Sequence, residues 1–276
     1  MKKLILVPTD FTEVGEAALK YAFSISKQQN FNICLLNVVD HVSKIKASEN
    51  KLDLIAKHYE DQYRLKTLVA VGNIFDEIGF VADEIDASLV VMGTHGLKGF
   101  QFLTGSNALK VIGRAKCPFI VVQKNTAVKD LSNILFPVDV NKLTRIKLKE
   151  TIQLAQLFQA KVRLVAPKTT DVFEKKSIHE NVTWVKKELN KHCVSYSVNY
   201  LDSKNFMSNM YAFADENGID MFSMVNSQTT KITGVLTATN EEQKFITNPL
   251  SIPVLTVNIS QKVMDNLSLS NFAGVS

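Results

Sequence analysis

Residues Ser88 to Cys117 carry the chemistry of this chain. Leu89 to Met92 is a short apolar run of the kind that makes a buried strand. Four glycines follow within thirteen residues, at Gly93, Gly96, Gly99 and Gly105. Ser106 then opens a segment with apolar residues at Ala108, Val111, Ile112 and Ala115, which is helical spacing. A strand, a glycine-rich loop and a helix start in that order suit an anion such as phosphate. Glycines let the backbone approach closely, and the free N–H groups and dipole of the helix start attract negative charge. A plain glycine-rich turn remains the alternative. No Gly-Lys-Ser/Thr ends the loop, so it is not a Walker loop, and the glycine spacing is not that of a dinucleotide fingerprint.

The elements that must hold this loop are legible along the first half. Leu4 to Val7 reads as a strand ending in Pro8-Thr9-Asp10, with Thr12 capping a helix through about Lys27. Asn32 to Val39 is a strand apolar on both faces, as buried parallel strands are. Residues 41 to 63 are ambiguous, with helical spacing near Leu52, Ile55 and Tyr59. Leu65 to Val71 is a strand closed by Gly72, and Ile74, Ile78, Val81, Ala82 and Ile85 mark an amphipathic helix. After the glycine loop, Pro118 to Val122 is a fifth strand. Strands alternating with helices predict an α/β fold, a parallel sheet with helices on both faces. Ligands then bind at the carboxyl ends of the strands, where Asp10, Val38 and Gly93 fall.

The pattern repeats. Ile134-Leu-Phe-Pro-Val-Asp139 echoes Ile5-Leu-Val-Pro-Thr-Asp10, and Val162-Arg-Leu-Val165 echoes Ile33-Cys-Leu-Leu36. Ala214-Asp-Glu216 echoes Ala82-Asp-Glu84, and Ile252-Pro-Val-Leu-Thr-Val257 echoes Cys117-Pro-Phe-Ile-Val-Val122. The offset grows only from 129 (5 to 134) to 135 (117 to 252), which predicts a tandem duplication. The expected units are residues 1–125 and 131–260, with 261–276 a C-terminal tail. The second half lacks the loop. Val225 stands for Gly93, Gln228 for Gly96, Asn240 for Gly105 and Glu241 for Ser106, and only Gly234 survives, opposite Gly99. A carboxylate at that helix start would repel a phosphate.

Composition bounds the reading. An apolar fraction of 46% against 21% charged indicates a globular protein. Net charge is +5, and the basic clusters at Lys142–Lys149 and Lys186–Lys191 read as solvated helix faces without interleaved aromatics, so no nucleic-acid partner is expected. Cys34, Cys117 and Cys193 form no C-x-x-C pair, and Cys34 and Cys117 read as core residues. The first apolar run is too short for a signal peptide, and no run approaches the ~20 residues that cross a bilayer. The expectation is a cytoplasmic protein without a membrane partner.

Val7-Pro-Thr-Asp10, Leu36-Asn37-Val38-Val39-Asp40, Met92-Gly-Thr-His-Gly96 through Gly105-Ser106, and Cys117-Pro118 with its strand resemble a tandem universal stress protein, over residues 1–260. The fold so implied is two tandem five-stranded parallel-sheet domains with helices on both faces, akin to the adenine nucleotide alpha hydrolases. In the ATP-binding branch the loop reads Gly, two residues, Gly, nine residues, Gly-Ser; here the second spacer, residues 97–104, has eight. The resemblance implies a cytoplasmic stress-response protein that binds ATP, or AMP or ADP, with or without Mg, in the first half. By position, Asp10 with Pro8 and Thr9 would meet the adenosine. Val38 would pack on adenine with Val71 and Gly72 at the rim, and Met92 and Gly93 would line the ribose side. Gly96, Gly105, Ser106 and Asn107 would give donors to the phosphates. It also implies pairing through the last strand of each half, an intrachain pseudo-dimer, with a homodimer of chains left open. No catalytic residue and no metal ligand is assigned. Asp10 reads equally as a helix cap, Asp139 and Trp184 as structural, and His95 lacks an evident partner carboxylate. Phosphoryl transfer needs a held metal and charge compensation, and only Lys98 is a cation in the loop. The role is thus regulatory, with slow ATP hydrolysis or a nucleotide-free scaffold as alternatives, and adenylyl transfer the enzymatic one. Partner proteins are unassigned.

Overall fold

The computed structural model describes residues 4–94, 105–226 and 240–258. The first half runs β1 (Leu4–Pro8), α1 (Glu13–Gln29), β2 (Asn32–Val39), α2 (Ile45–His58), β3 (Leu65–Val71), α3 (Ile74–Glu84), β4 (Leu89–Gly93), α4 (Gly105–Ile112) and β5 (Phe119–Val122). The second runs β6 (Asn133–Pro137), α5 (Leu148–Phe158), β7 (Lys161–Lys168), α6 (Val172–Lys191), β8 (Tyr196–Asp202), α7 (Phe206–Glu216), β9 (Met221–Asn226), α8 (Asn240–Ile246) and β10 (Val254–Asn258). The ambiguous stretch after β2 resolves as a short 3₁₀ turn, Val42–Lys44, leading into α2. Its signal is weak because only Ser48 and Leu52 of α2 are fully buried. The expected 261–276 tail lies outside the described residues.

All ten strands form one sheet in the order β3-β2-β1-β4-β5-β10-β9-β6-β7-β8. Every neighbouring pair is parallel except β5 and β10, which meet antiparallel with Leu255 opposite Ile120. Each half therefore has the same strand order, read outward from this seam. The chain order reverses between β1 and β4, and again between β6 and β9, and such switch points open crevices at the carboxyl strand ends.

Strand pleating sends alternate residues to opposite faces. Ile5, Val7, Leu35, Val91 and Ile120 pack with Ala18 and Leu19 of α1 and Leu52 of α2. Leu6, Leu36, Val90, Met92 and Val121 pack with Ile78 of α3 and Val111 and Ile112 of α4. The first core also takes in Phe136, Leu148 and Val162, and the second Leu135, Met210 and Phe222, so both cores run on through the second half. Each fully buried side chain of this size stabilises by roughly 1.5–3 kcal/mol. Among the described residues no helix is long and apolar enough to cross a membrane.

Side-chain bonds reinforce the seam. Gln123 Nε2 donates to Asn248 O at 2.9 Å, Thr126 Oγ1 to Ser251 O at 2.8 Å, and Asn226 Nδ2 to Leu109 O at 3.1 Å. One group there is unsatisfied: Thr256 Oγ1 on β10 is buried and has no hydrogen-bond partner. An isosteric methyl would remove that cost, so Thr256→Val should stabilise the chain by about 1 kcal/mol. Urea unfolding should show a higher midpoint with an unchanged slope.

Candidate functional site

The first crevice is built where β1, β2 and β4 end. Pro8, Thr9 and Asp10 form one lip, Leu36 and Val38 the next, Gly93 the third, and Ile74 and Ile78 of α3 close the side. The space the described residues enclose there is about 50 Å³.

The Asp10 lip is fixed by a tight chain of bonds. Thr9 N donates to Leu36 O at 2.8 Å, binding the lip to β2. Asp10 Oδ1 accepts from Thr12 N at 3.1 Å and from the Thr12 hydroxyl at 2.5 Å. Thr12 in turn caps α1 by accepting from Gly15 N at 3.5 Å. Phe11, between them, takes φ 63°, a left-handed geometry that is costly for an aromatic residue. Thr9 Oγ1 steadies that turn by accepting from Phe11 N at 3.1 Å. Asp10 is thus bound into the turn before the cap while its side chain stays exposed beside the crevice. Cap support and ligand contact are compatible there.

Asn37 carries a role that sequence reading missed. Its Nδ2 donates to Thr9 O at 2.6 Å, and its Oδ1 accepts from Ser48 Oγ of α2 at 2.8 Å. This buried relay locks the ends of β1 and β2 to α2. Leaving one of its members unpaired would cost about 1–3 kcal/mol. A polar residue inside an otherwise apolar strand was the available signal. Val14 and Gly15 of α1 also line the crevice, which only the helix's position against β4 could reveal.

Gly93 has a steric reason to be glycine. A Cβ there would lie 2.4 Å from Val14 Cγ1 and 2.5 Å from the Val14 carbonyl oxygen. The first turn of α1 therefore packs directly on the end of β4. The remaining predicted site residues are placed as follows. Met92 is fully buried in the core, and Val71 is exposed on the sheet-edge strand β3. Gly72 is tied to β2 through its N–H to Val39 O at 2.9 Å. Gly105, Ser106 and Asn107 form the first turn of α4, with side chains outside the described set, and Gly96, His95 and Lys98 lie outside the described residues.

The corresponding place in the second half carries a buried lysine. Lys147 opens α5 at the position Ala18 holds in α1, and it is buried rather than on the solvated face expected for the Lys142–Lys149 cluster. Its Nζ donates to Pro137 O at 2.8 Å and Ser223 O at 3.2 Å and lies 4.4 Å from the Phe136 ring centroid. Carbonyls and an aromatic face substitute for water around a charge that a helix-surface pattern would have left outside. Asp139 Oδ1 accepts from Asn141 N at 2.7 Å, and Asn181 Nδ2 of α6 donates to Asp139 O at 2.9 Å. Asp139 thus holds a turn, as expected. Trp184 is half-buried on α6 with the Arg145 guanidinium 5.1 Å from its ring. Cys34 is buried and Cys117 half-buried, and burial pushes their thiols up to about 11 and about 12.

With this geometry in hand, likeness to known proteins can be placed. The universal stress protein family model matches residues 1–123. Universal stress protein MJ0531 of Methanocaldococcus jannaschii is 31% identical over 141 residues, 44% of this chain and 82% of that protein. The chain belongs to the universal stress protein family. Universal stress protein MJ0577 of the same organism is 28% identical over 159 residues, 46% of this chain and 98% of that protein. A universal stress protein from Archaeoglobus fulgidus has the same fold along nearly the whole length: TM-score 0.72 at 15% identity, covering 94% of this chain and 99% of that one.

Two outcomes test the geometry. Gly93→Ala should destabilise by about 1–3 kcal/mol, because the added methyl meets the backbone carbonyl of Val14 as well as its side chain, and the backbone cannot rotate away; chemical denaturation measures it. Burial drives the Lys147 amine down to about 8, with Asp139 opposing. The folded chain then binds fewer protons than the unfolded one between about pH 8 and 10.5, so stability rises with pH across that window. Relative to Lys147→Met, the wild-type chain should gain about 3 kcal/mol between pH 7 and pH 10.5. The cysteine contributions cancel in that comparison.

Proposed function

We propose that this universal stress protein binds an adenine nucleotide, ATP, AMP or ADP, in the first-half crevice and acts as a regulator in the stress response rather than as a metabolic enzyme. The observation that supports this is the meeting of Asp10, Val38 and Gly93 at the β1/β4 switch point. An apolar wall at Val38 suits an adenine ring, and the Asp10 carboxylate suits a ribose hydroxyl. Gly105, Ser106 and Asn107 start α4 soon after β4, and free N–H groups at such a start suit phosphates. Mg would arrive with the phosphates. Pro8 and Thr9 hold the lip, Gly93 and the Met92 backbone the floor, and Val71 and Gly72 the outer rim.

On this reading residues 1–125 and 131–260 are the two functional units, and the second is a scaffold half. The Lys147 and Asn181 side chains bonded to the Pro137 and Asp139 carbonyls at the matching strand end favour that assignment. The antiparallel β5–β10 pair is then the internal form of the family's pairing through last strands. The setting is the cytoplasm. Nothing in the described crevice supplies a base and a cation poised for phosphoryl transfer, and turnover of ATP would be slow at most.

A thermal melt with and without millimolar ATP and magnesium tests the reading. Ligand at ~100 times its dissociation constant adds about 2.7 kcal/mol, a shift of several degrees. Gly105→Leu should abolish the shift while leaving the melt of the nucleotide-free chain close to wild type. Retained binding in that variant would overturn the assignment, and no shift in the wild-type chain would favour the nucleotide-free scaffold.

A further inference from the structure

A separate cavity lies at the other end of the first-half strands, beside the β5–β10 seam. It encloses about 440 Å³ and is lined by Phe31, Leu89, Pro118, Leu154, Leu157 and Leu255. Phe31, Leu89 and Pro118 sit at the amino ends of β2, β4 and β5, and Leu154 and Leu157 come from α5. One ionisable group enters this apolar wall, Glu150 of α5. Its Oε2 is buried and accepts no hydrogen bond, and burial pushes the carboxyl above its usual range.

The repeat supplies a counterpart. It places Tyr21 where Glu150 stands, Ile25 at Leu154, Ala160 at Phe31 and Asp220 at Ser88. That side is closed. Tyr21, Ile25 and Ala160 are all buried, and Leu131 of the connection into β6 is buried with them in the same core. The Asp220 carboxylate accepts from Ser132 N and Asn133 N at 2.9 Å each and pairs with the Lys129 ammonium at 2.6 Å. So on one side of the seam a carboxylate is met by an ammonium and N–H donors, and apolar side chains fill the space. On the other side, one oxygen of the Glu150 carboxylate has no hydrogen-bond partner, with only its own backbone N–H and the Lys149 charge favouring the ionised form, and space lies open beside it. A bare apolar gap would not repay the desolvation of Glu150, since a buried polar group without a partner is costly.

We propose that this cavity binds a small ligand with an aliphatic body and a primary ammonium group, the ammonium on Glu150 and the body against Leu154, Leu157 and Leu255. The volume falls within the ordinary range for small-molecule pockets, and a mainly apolar lining with a few polar groups, here Glu150 with Ser88, Gln153 and Gln156, is their usual make-up. This site is independent of the nucleotide crevice and shares no residue with it.

The test titrates n-octylammonium into the full chain by calorimetry, beside octanol and octanoate. Octylammonium should saturate at one per chain and bind at least tenfold more tightly than either analogue. Glu150→Gln, which keeps the side-chain shape, should weaken octylammonium tenfold or more and leave octanol unchanged. Leu154→Trp, checked by its melt to be folded, should remove binding of all three. A flat titration in the full chain overturns the proposal. Equal affinity for octylammonium and octanol, or indifference to Glu150→Gln, also overturns it.

Discussion

The antiparallel meeting of β5 and β10 is the constraint on which the molecule depends. A five-stranded parallel sheet ending in Phe-Ile-Val-Val leaves an apolar edge with unpaired backbone groups, which invites association. Here each half gives that edge to the other, and Ile120 faces Leu255 in the middle of a ten-stranded sheet. Because pleating continues across the seam, the cores on both faces run through the two halves. Packing in one half is then not independent of packing in the other, and the outer edges fall to β3 and β8, whose residues are only partly buried.

The same topology makes two crevices and treats them differently. At the first switch point Gly15 and Gly93 let α1 approach the strand ends beside a crevice lined by Asp10 and Val38. At the second, Lys147 replaces Ala18, and its amine bonds to carbonyls of β6 and β9. One side chain thus places a buried amine among strand carbonyls where the first half has only a methyl. The scaffold recurs in both halves because the same two cores run through them.

Beyond the crevices, the asymmetry of the seam comes from the chain's connectivity. The link from β5 to β6 must pass the amino ends of the second-half strands, and it brings Lys129 and Leu131 with it. No described segment passes the matching place beside Glu150. Among the described residues, a repeat equal in strand order is unequal in what covers it.

Periodicity, glycine spacing and the 129-residue offset were enough to set the strands, the helices, the repeat and the membership of Asp10, Val38 and Gly93 in one crevice. Those features are local, or recur along the chain, and backbone sterics and burial act on them directly. What α2 does, the Asn37–Ser48 relay, the burial of Lys147 and the cavity at Glu150 belong to the tertiary structure. Each depends on which residues meet across ten or more positions of chain. A lysine on a helix reads as solvated until the carbonyls that receive it are in place. A glutamate reads as surface until its neighbours bury one oxygen without a hydrogen-bond partner.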